Sequence, residues 1–263
     1  MTQFGENVAL RFPERDDGAR VAVITVERAA LNILDRAAMV ALAEAATSLH
    51  RDEALRAVVL TGAGARAFIG GADIHAMASL DAAGAEAFIM ALHEAIAAIR
   101  AIPVPVIARI NGYCLGAGLE VAAGCDLRLA SDNAVFGMPE VKVGIPSVIE
   151  AALLPRLIGW GQAAELVLTG ESIGAEEALR IGLVSRVTTP AKLDDAVAAW
   201  VGSIVAAGAR AVRAQKALMR AWETLPLDAA IAAGVTAFRQ SYAHDEPHRM
   251  MRAFVERKRR PKA

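Results

Sequence analysis

Short β-branched runs alternate with amphipathic helical patterns through the first half of this 263-residue chain, which predicts an α/β fold with parallel strands. Two further observations support that class. Hydrophobic residues make up 55% and charged residues 22%, enough apolar material for one large core and far from the composition of a disordered chain. After about Ile145 the pattern turns almost wholly helical, punctuated by Gly159, Gly170, Gly182, Gly208 and Pro226, so a helical unit follows the sheet.

Each element has a local reason. Residues 21–26 are apolar and β-branched, a buried strand. Asp35 is placed to cap a helix, because Met39, Leu42, Ala46 and Leu49 then share one face. Residues 57–61 form the next strand, closed by a turn at Gly62–Ala63–Gly64. Asp81 caps a second helix that turns Phe88, Leu92, Ala95 and Ile99 inward. Pro103 and Pro105 end it ahead of a strand at 106–110 and the Asn111–Gly112 turn. A helix is expected over 117–124, and further helices over 147–158, 160–168, 175–181, 191–206, 209–222, 227–243 and 247–258, with a short strand at 183–187. The last three helices are broadly apolar and call for a partner surface.

Charge and composition exclude several roles. Lys and Arg number 28 against 29 Asp and Glu, a formal net charge of -1, so no global basic field recruits nucleic acid or anionic lipid. No apolar run reaches the roughly 18 residues of a membrane helix, and residues 196–209, the best candidate, carry Gly202 and Ser203. Residues 1–6 lack the basic and apolar regions of a secretory leader. Cys114 and Cys125 form neither a disulfide framework nor a CxxC pair. A soluble, cytoplasmic protein without membrane association is expected.

Several common motifs fail. The chain has no GxSxG elbow and no Walker A sequence. Gly62–Ala63–Gly64–Ala65–Arg66–Ala67 matches a loose dinucleotide turn, but Phe68–Ile69–Gly70–Gly71–Ala72 follows where a long helix should begin. In His244–Asp245–Glu246–Pro247–His248 the proline disrupts the helix that would aim two imidazoles at one metal, so no metal site is expected. The basic run Arg257–Lys258–Arg259–Arg260–Pro261–Lys262 has no interleaved aromatic residues to stack bases, and reads as a solvated tail rather than an RNA site.

Three segments carry chemistry. They are Ala67–Phe68–Ile69–Gly70–Gly71–Ala72–Asp73–Ile74, Asn111–Gly112–Tyr113–Cys114–Leu115–Gly116–Ala117–Gly118–Leu119–Glu120, and Phe136–Gly137–Met138–Pro139–Glu140. Two glycine-rich turns, each after an apolar strand, leave backbone N–H groups free to meet an oxyanion, and the second opens the helix expected at 117–124. Glu120 on its first turn stands among Leu119, Val121, Ala122 and Ala123, and Glu140 stands at a strand-to-helix junction. Two partly buried carboxylates beside oriented N–H groups suit the activation of water by general acid–base chemistry.

In combination, these segments resemble the crotonase superfamily, the enoyl-CoA hydratase/isomerase family, through its FxxGAD, NGYxLGxGxE and FGxPE patterns. The likeness runs from about Val21 to the C-terminus. Arg28–Ala29–Ala30–Leu31–Asn32–Ile33–Leu34 is similar to the early CoA-binding stretch, Leu168–Thr169–Gly170–Glu171 to the VLTG signature, and Ala253–Phe254–Val255–Glu256–Arg257–Lys258–Arg259 to the closing segment. The resemblance implies an α/β spiral of ββα turns over 1–200 and a helical C-terminal region over 201–263 that builds a homotrimer or homohexamer. It implies N–H donors at Gly70 and Ala117 for a thioester oxyanion, and Glu120 and Glu140 as the catalytic pair. It implies a CoA-thioester site at Asn32, Ile33, Leu34, Ala67, Ile69, Gly70, Asp73, Ile74, Phe254 and Arg257, with no cofactor beyond the substrate's own CoA. The implied reaction is syn hydration of trans-2-enoyl-CoA to 3-hydroxyacyl-CoA; the alternative is a Δ3-Δ2 isomerase working mainly through Glu140. Many relatives read PGxGGTQRL where this chain has Ser147–Val148–Ile149–Glu150 and onward to Leu157, and Glu150 is expected there as an exposed helix residue.

Overall fold

A computed structural model describes residues 1–28 and 30–259, the side chains of 257–259 excepted. The strands in chain order are β1 (Thr2–Phe4), β2 (Val8–Arg11), β3 (Arg20–Val26), β4 (Leu55–Gly62), β5 (Ala67–Ile69), β6 (Val106–Ile110), β7 (Tyr113–Leu115), β8 (Leu127–Ser131), β9 (Val135–Gly137), β10 (Ser172–Gly174) and β11 (Arg186–Thr188). The helices are α1 (Arg36–Ser48), α2 (Ile74–Met77), α3 (Ala82–Ala101), α4 (Ala117–Gly124), α5 (Leu154–Ile158), α6 (Trp160–Thr169), α7 (Ala175–Arg180), α8 (Leu193–Ala206), α9 (Ala209–Trp222), α10 (Leu227–Ser241) and α11 (Glu246–Arg259).

Two sheets organise the chain. The larger runs β1-β2-β3-β4-β6-β8-β11, parallel from β3 onward, and the smaller runs β10-β9-β7-β5. The expected spiral is visible in the strand order. β4 and β5, then β6 and β7, then β8 and β9 each place one strand in the large sheet and the next in the small one. Helices α3 and α4 and the 3-10 turn Pro139–Val143 follow these three pairs. In the large sheet Val23 pairs with Val59, Val59 with Ile107, and Ile107 with Leu127, an apolar row across parallel strands. One face of the sheet meets α8 through Leu193, Val197 and Val201. The other joins α1, α3 and α4 in the main core.

The local signals work as expected at the caps. Asp35 accepts from Ala38 N at 2.8 Å and Asp81 from Gly84 N at 2.8 Å, each satisfying an otherwise unpaired N–H at a helix start. Helix α3, at 20 residues, is long and apolar enough to cross a membrane by length and composition, contrary to the expectation that no such run exists. Phe88, Leu92, Ala95, Ile96 and Ile99 are buried against the core instead.

Other expectations need correction. The helix expected over 147–158 is divided into a 3-10 turn, Ile149–Leu153, and α5, because Pro155 lacks the N–H an interior position requires and fits only a first turn. The strand expected at 183–187 lies at Arg186–Thr188, where β8 offers a parallel edge. The boundary expected between 200 and 201 falls inside α8; since Val201 packs on the same sheet face as Val197, the core extends to the end of that helix at Ala206.

Beyond α8, attachment to the core is polar. Lys216 of α9 is buried, pairs with Asp126 at 2.6 Å and donates to Val104 O at 2.9 Å. Arg213 donates to the carbonyls of Asp52 and Leu55 at 2.8 and 2.9 Å. Helix α10 buries Ala230 alone, while Leu227, Ile231, Val235 and Phe238 are exposed.

Candidate active site

The three segments converge on a cleft of about 240 Å³ between α3, the start of α4 and the 139–148 stretch. Its walls include Ile74, Met77, Phe88, Leu92, Leu115, Ile145 and Val148, and its polar lining includes Glu120 and Glu140. An apolar pocket with a few convergent polar groups is the usual form of a small-molecule site.

Glu120 is 4% exposed on the first turn of α4, whose eight residues are all buried. Burial pushes its pKa up to about 8; the Ala151 N–H, donating to Oε1 at 3.1 Å, opposes the rise, and the nearby Glu140 and Glu150 carboxylates add to it. Glu140 is fixed differently: the Ser147 hydroxyl donates to its Oε2 at 2.7 Å. Its other oxygen stands over Gly116, where a side-chain Cβ would collide with it. Gly116 also has φ of 50°, so this position requires glycine twice over.

Gly70 is not a free donor. Its N–H is already bonded to Leu31 O at 2.8 Å. The adjoining bridge pairs Leu34 with Ala72: Leu34 N donates to Gly71 O and Asp73 N donates to Leu34 O, both at 2.9 Å. A residue so bridged turns its own N–H to the opposite side, and Ala72 lines the cleft. Ala117 also lines the cleft as the first residue of α4, where an N–H has no partner within the helix. The two open N–H groups beside the carboxylates are therefore those of Ala72 and Ala117. Gly118 keeps the second in place, since any side chain there would collide with Ile69 O of β5.

The expected CoA residues separate into those that face the cleft and those that do not. Gly70 and Ile74 line it. Asn32, 1% exposed with φ of 54°, turns its amide inward, donating to Ala63 O at 3.0 Å and Ala67 O at 2.9 Å. It fastens the loop before α1 to β5 and offers no free amide for a ligand. Leu34, Ala67 and Ile69 are fully buried core side chains, and Ile33 is half-buried and outside the cleft lining. Asp73 caps α2 by accepting from His75 N and Ala76 N and pairs with Arg28 at 3.0 Å, which together hold its carboxyl below the usual range. Phe254 is half-exposed on α11 and is not among the residues that line the cleft. The Arg257 side chain lies outside those described.

Glu150, expected as an exposed helix residue, is 8% exposed and belongs to the 3-10 turn beside the cleft. His93 Nδ1 on α3 lies 2.9 Å from its Oε1. The preceding Ile149 has φ of 39°, which for a β-branched residue is a strained conformation worth roughly 1–3 kcal/mol. His93 and Ser147 gave no periodic or motif signal in the sequence, since both act through partners distant along the chain. Among the described residues no group of three or more His, Cys, Asp or Glu is placed to hold a metal.

Residues 16–262 match the family model described as enoyl-CoA hydratase/isomerase. A crotonyl-CoA hydratase of Syntrophomonas wolfei is 36% identical over 256 residues, covering 97% of this chain and 96% of that protein. A short-chain-enoyl-CoA hydratase of Clostridium acetobutylicum is 35% identical over 242 residues, covering 91% and 93%. The crystal structure of an enoyl-CoA hydratase from Bacillus anthracis superposes with a TM-score of 0.90 at 30% identity, covering 98% of each chain.

Proposed function

The chain belongs to the enoyl-CoA hydratase/isomerase family, and from that footing we propose that it is an enoyl-CoA hydratase whose water chemistry is carried by Glu120 and Glu140. The observation that carries this reading is the buried carboxyl of Glu120 in one cleft with Glu140, a cleft that Ala72 and Ala117 also line. Hydration requires a base and an acid together. The ionised carboxylate of the pair takes a proton from water as the water oxygen bonds to C3. The C2=C3 electrons move onto the thioester oxygen, which the Ala72 and Ala117 N–H groups receive. The protonated member delivers its proton to C2. The electron pair returns from the thioester oxygen to form the C2–H bond. The pair again holds one proton, now on the other carboxyl. A proton transfer between the two restores the starting state, so the reaction runs in either direction. Water and the acyl-CoA supply every atom, and no cofactor is called for.

The helical C-terminal region is read as the oligomerisation surface of a homotrimer or homohexamer. Support comes from the exposed stripe Leu227, Ile231, Val235 and Phe238, spaced to lie on one helix face. On this reading the CoA nucleotide end is met by Phe254 and Arg257 of a neighbouring copy.

The deciding assay follows loss of the conjugated thioester absorbance with crotonyl-CoA. Hydration by the wild type and its loss in Glu120→Gln and Glu140→Gln is the expected result. Rearrangement of a 3-enoyl-CoA without hydration of crotonyl-CoA would replace this reading with the isomerase.

A further inference from the structure

One ionisable cluster beside the cleft has no part in the chemistry above. His93 on α3 and Glu150 on the 149–153 turn meet at 2.9 Å, and the Glu150 side chain is 9% exposed. Its Oε1 accepts from the His93 ring, while Oε2 is buried without a hydrogen-bond partner. The very next N–H along the chain, that of Ala151, is the donor to Glu120 Oε1. We propose that Glu150, anchored by His93, is a positioning residue for Glu120: their contact holds the turn in the conformation that aims the Ala151 N–H at the catalytic carboxyl. The proposal rests on the reading of Glu120 as catalytic.

The turn needs such an anchor. A β-branched residue at positive φ relaxes toward negative φ when unrestrained, and that rotation at Ile149 would swing the 150–151 peptide away from Glu120. Helix α3 is a rigid point of attachment, since its Phe88, Leu92, Ala95 and Ile96 are locked in the core. A buried carboxylate with one oxygen unpaired is a poor choice for packing alone, because an apolar side chain would avoid the desolvation penalty. The titratable groups facing the site are Glu120 on α4, Glu140 on the 139–143 turn, and His93 on α3. Arg100 on α3 and Arg156 on α5 are both turned onto Glu223. The Glu150 carboxylate therefore adds negative charge beside Glu120 as well as a mechanical tie.

These two contributions separate by experiment. With crotonyl-CoA as the probe, Glu150→Ala and His93→Ala are expected to lower kcat about 10–100-fold, the scale of a misaligned catalytic group, with KM nearly unchanged. Glu150→Gln keeps an acceptor for His93 and should recover most of kcat. Its pH–rate profile should nevertheless move, the limb belonging to Glu120 shifting to lower pH because a neighbouring negative charge is gone. Should Glu150→Ala fail to fold, the half-exposed His93 and the conservative glutamine carry the test. Wild-type kcat in His93→Ala, or an unshifted profile in Glu150→Gln, alongside an inactive Glu120→Gln, would overturn the positioning role alone. Full activity in Glu120→Gln would overturn the premise together with it.

Discussion

Helices α4 and α10 are both rich in small apolar residues, yet one is wholly enclosed and the other almost wholly bare. All eight residues of α4 are buried, Glu120 among them. Of the 15 residues of α10 only Ala230 is buried, and Phe238 is 66% exposed. The apolar company of α4 acts on chemistry, because it is what keeps a proton on a carboxyl near neutral pH. The apolar company of α10 has no cover among the described residues of its own chain, and on the proposed reading it is surface kept for assembly. Hydrophobicity in a sequence thus marks surface to be hidden, and the surrounding topology decides whether the same chain hides it.

That contrast predicts changes at the α4 site that abolish turnover without altering mass, and changes on α10 that do the reverse. The largest effect belongs to Glu140→Gln and Glu120→Gln, each expected to lower kcat for crotonyl-CoA about 10²–10⁴-fold while light scattering reports the wild-type assembly. Next is Ala72→Pro, which removes one N–H donor; kcat should fall about 10²–10³-fold with an unchanged far-UV circular dichroism spectrum. Unchanged turnover in that variant would show that the oxyanion is received elsewhere.

Phe238→Asp tests the opposite pole. A charge on the exposed stripe should reduce the mass seen by light scattering and leave helix content intact; retention of the wild-type mass would separate α10 from assembly. The smallest effect is on stability. Between the ordinary carboxylate range and a pKa of about 8, folded Glu120 keeps a proton that the unfolded chain has released, so its contribution falls as pH rises through that window. The Tm of Glu120→Gln should therefore gain on the wild type between pH 5 and pH 9, at about 2–4 °C for each kcal/mol in a chain of this size. Parallel Tm curves would mean that burial does not lift this carboxyl.

Strands β3, β4 and β6, the aspartates that cap α1 and α3, and the apolar settings of Glu120 and Glu140 were legible because each rests on local pattern, whereas β1, β2 and β8 of the same large sheet were not anticipated. The small sheet was less legible. Strands of three residues, such as β5, β7 and β10, are too short to show a period and exist only because a neighbour pairs with them. The same limit explains Gly70 and Ala72. Which N–H stays open depends on the bridge from Leu34 to Ala72, a pairing between segments 38 positions apart that no local motif encodes. Glu150 was misjudged for a related reason: its partner, His93, lies 57 positions earlier.

The small sheet also imposes an order. Ala72 follows β5, Ala117 and Glu120 follow β7, and Glu140 follows β9, so the groups leave three adjacent strands of one sheet, and neighbouring strands lie about 4.8 Å apart. The order in which the site groups are presented is thereby inherited from backbone hydrogen bonding between strands. The long excursion through α2 and α3 between the first and second groups leaves that order untouched. Cleft walls can therefore change along the 147–157 segment while the small sheet keeps the carboxylates and donors in the same order.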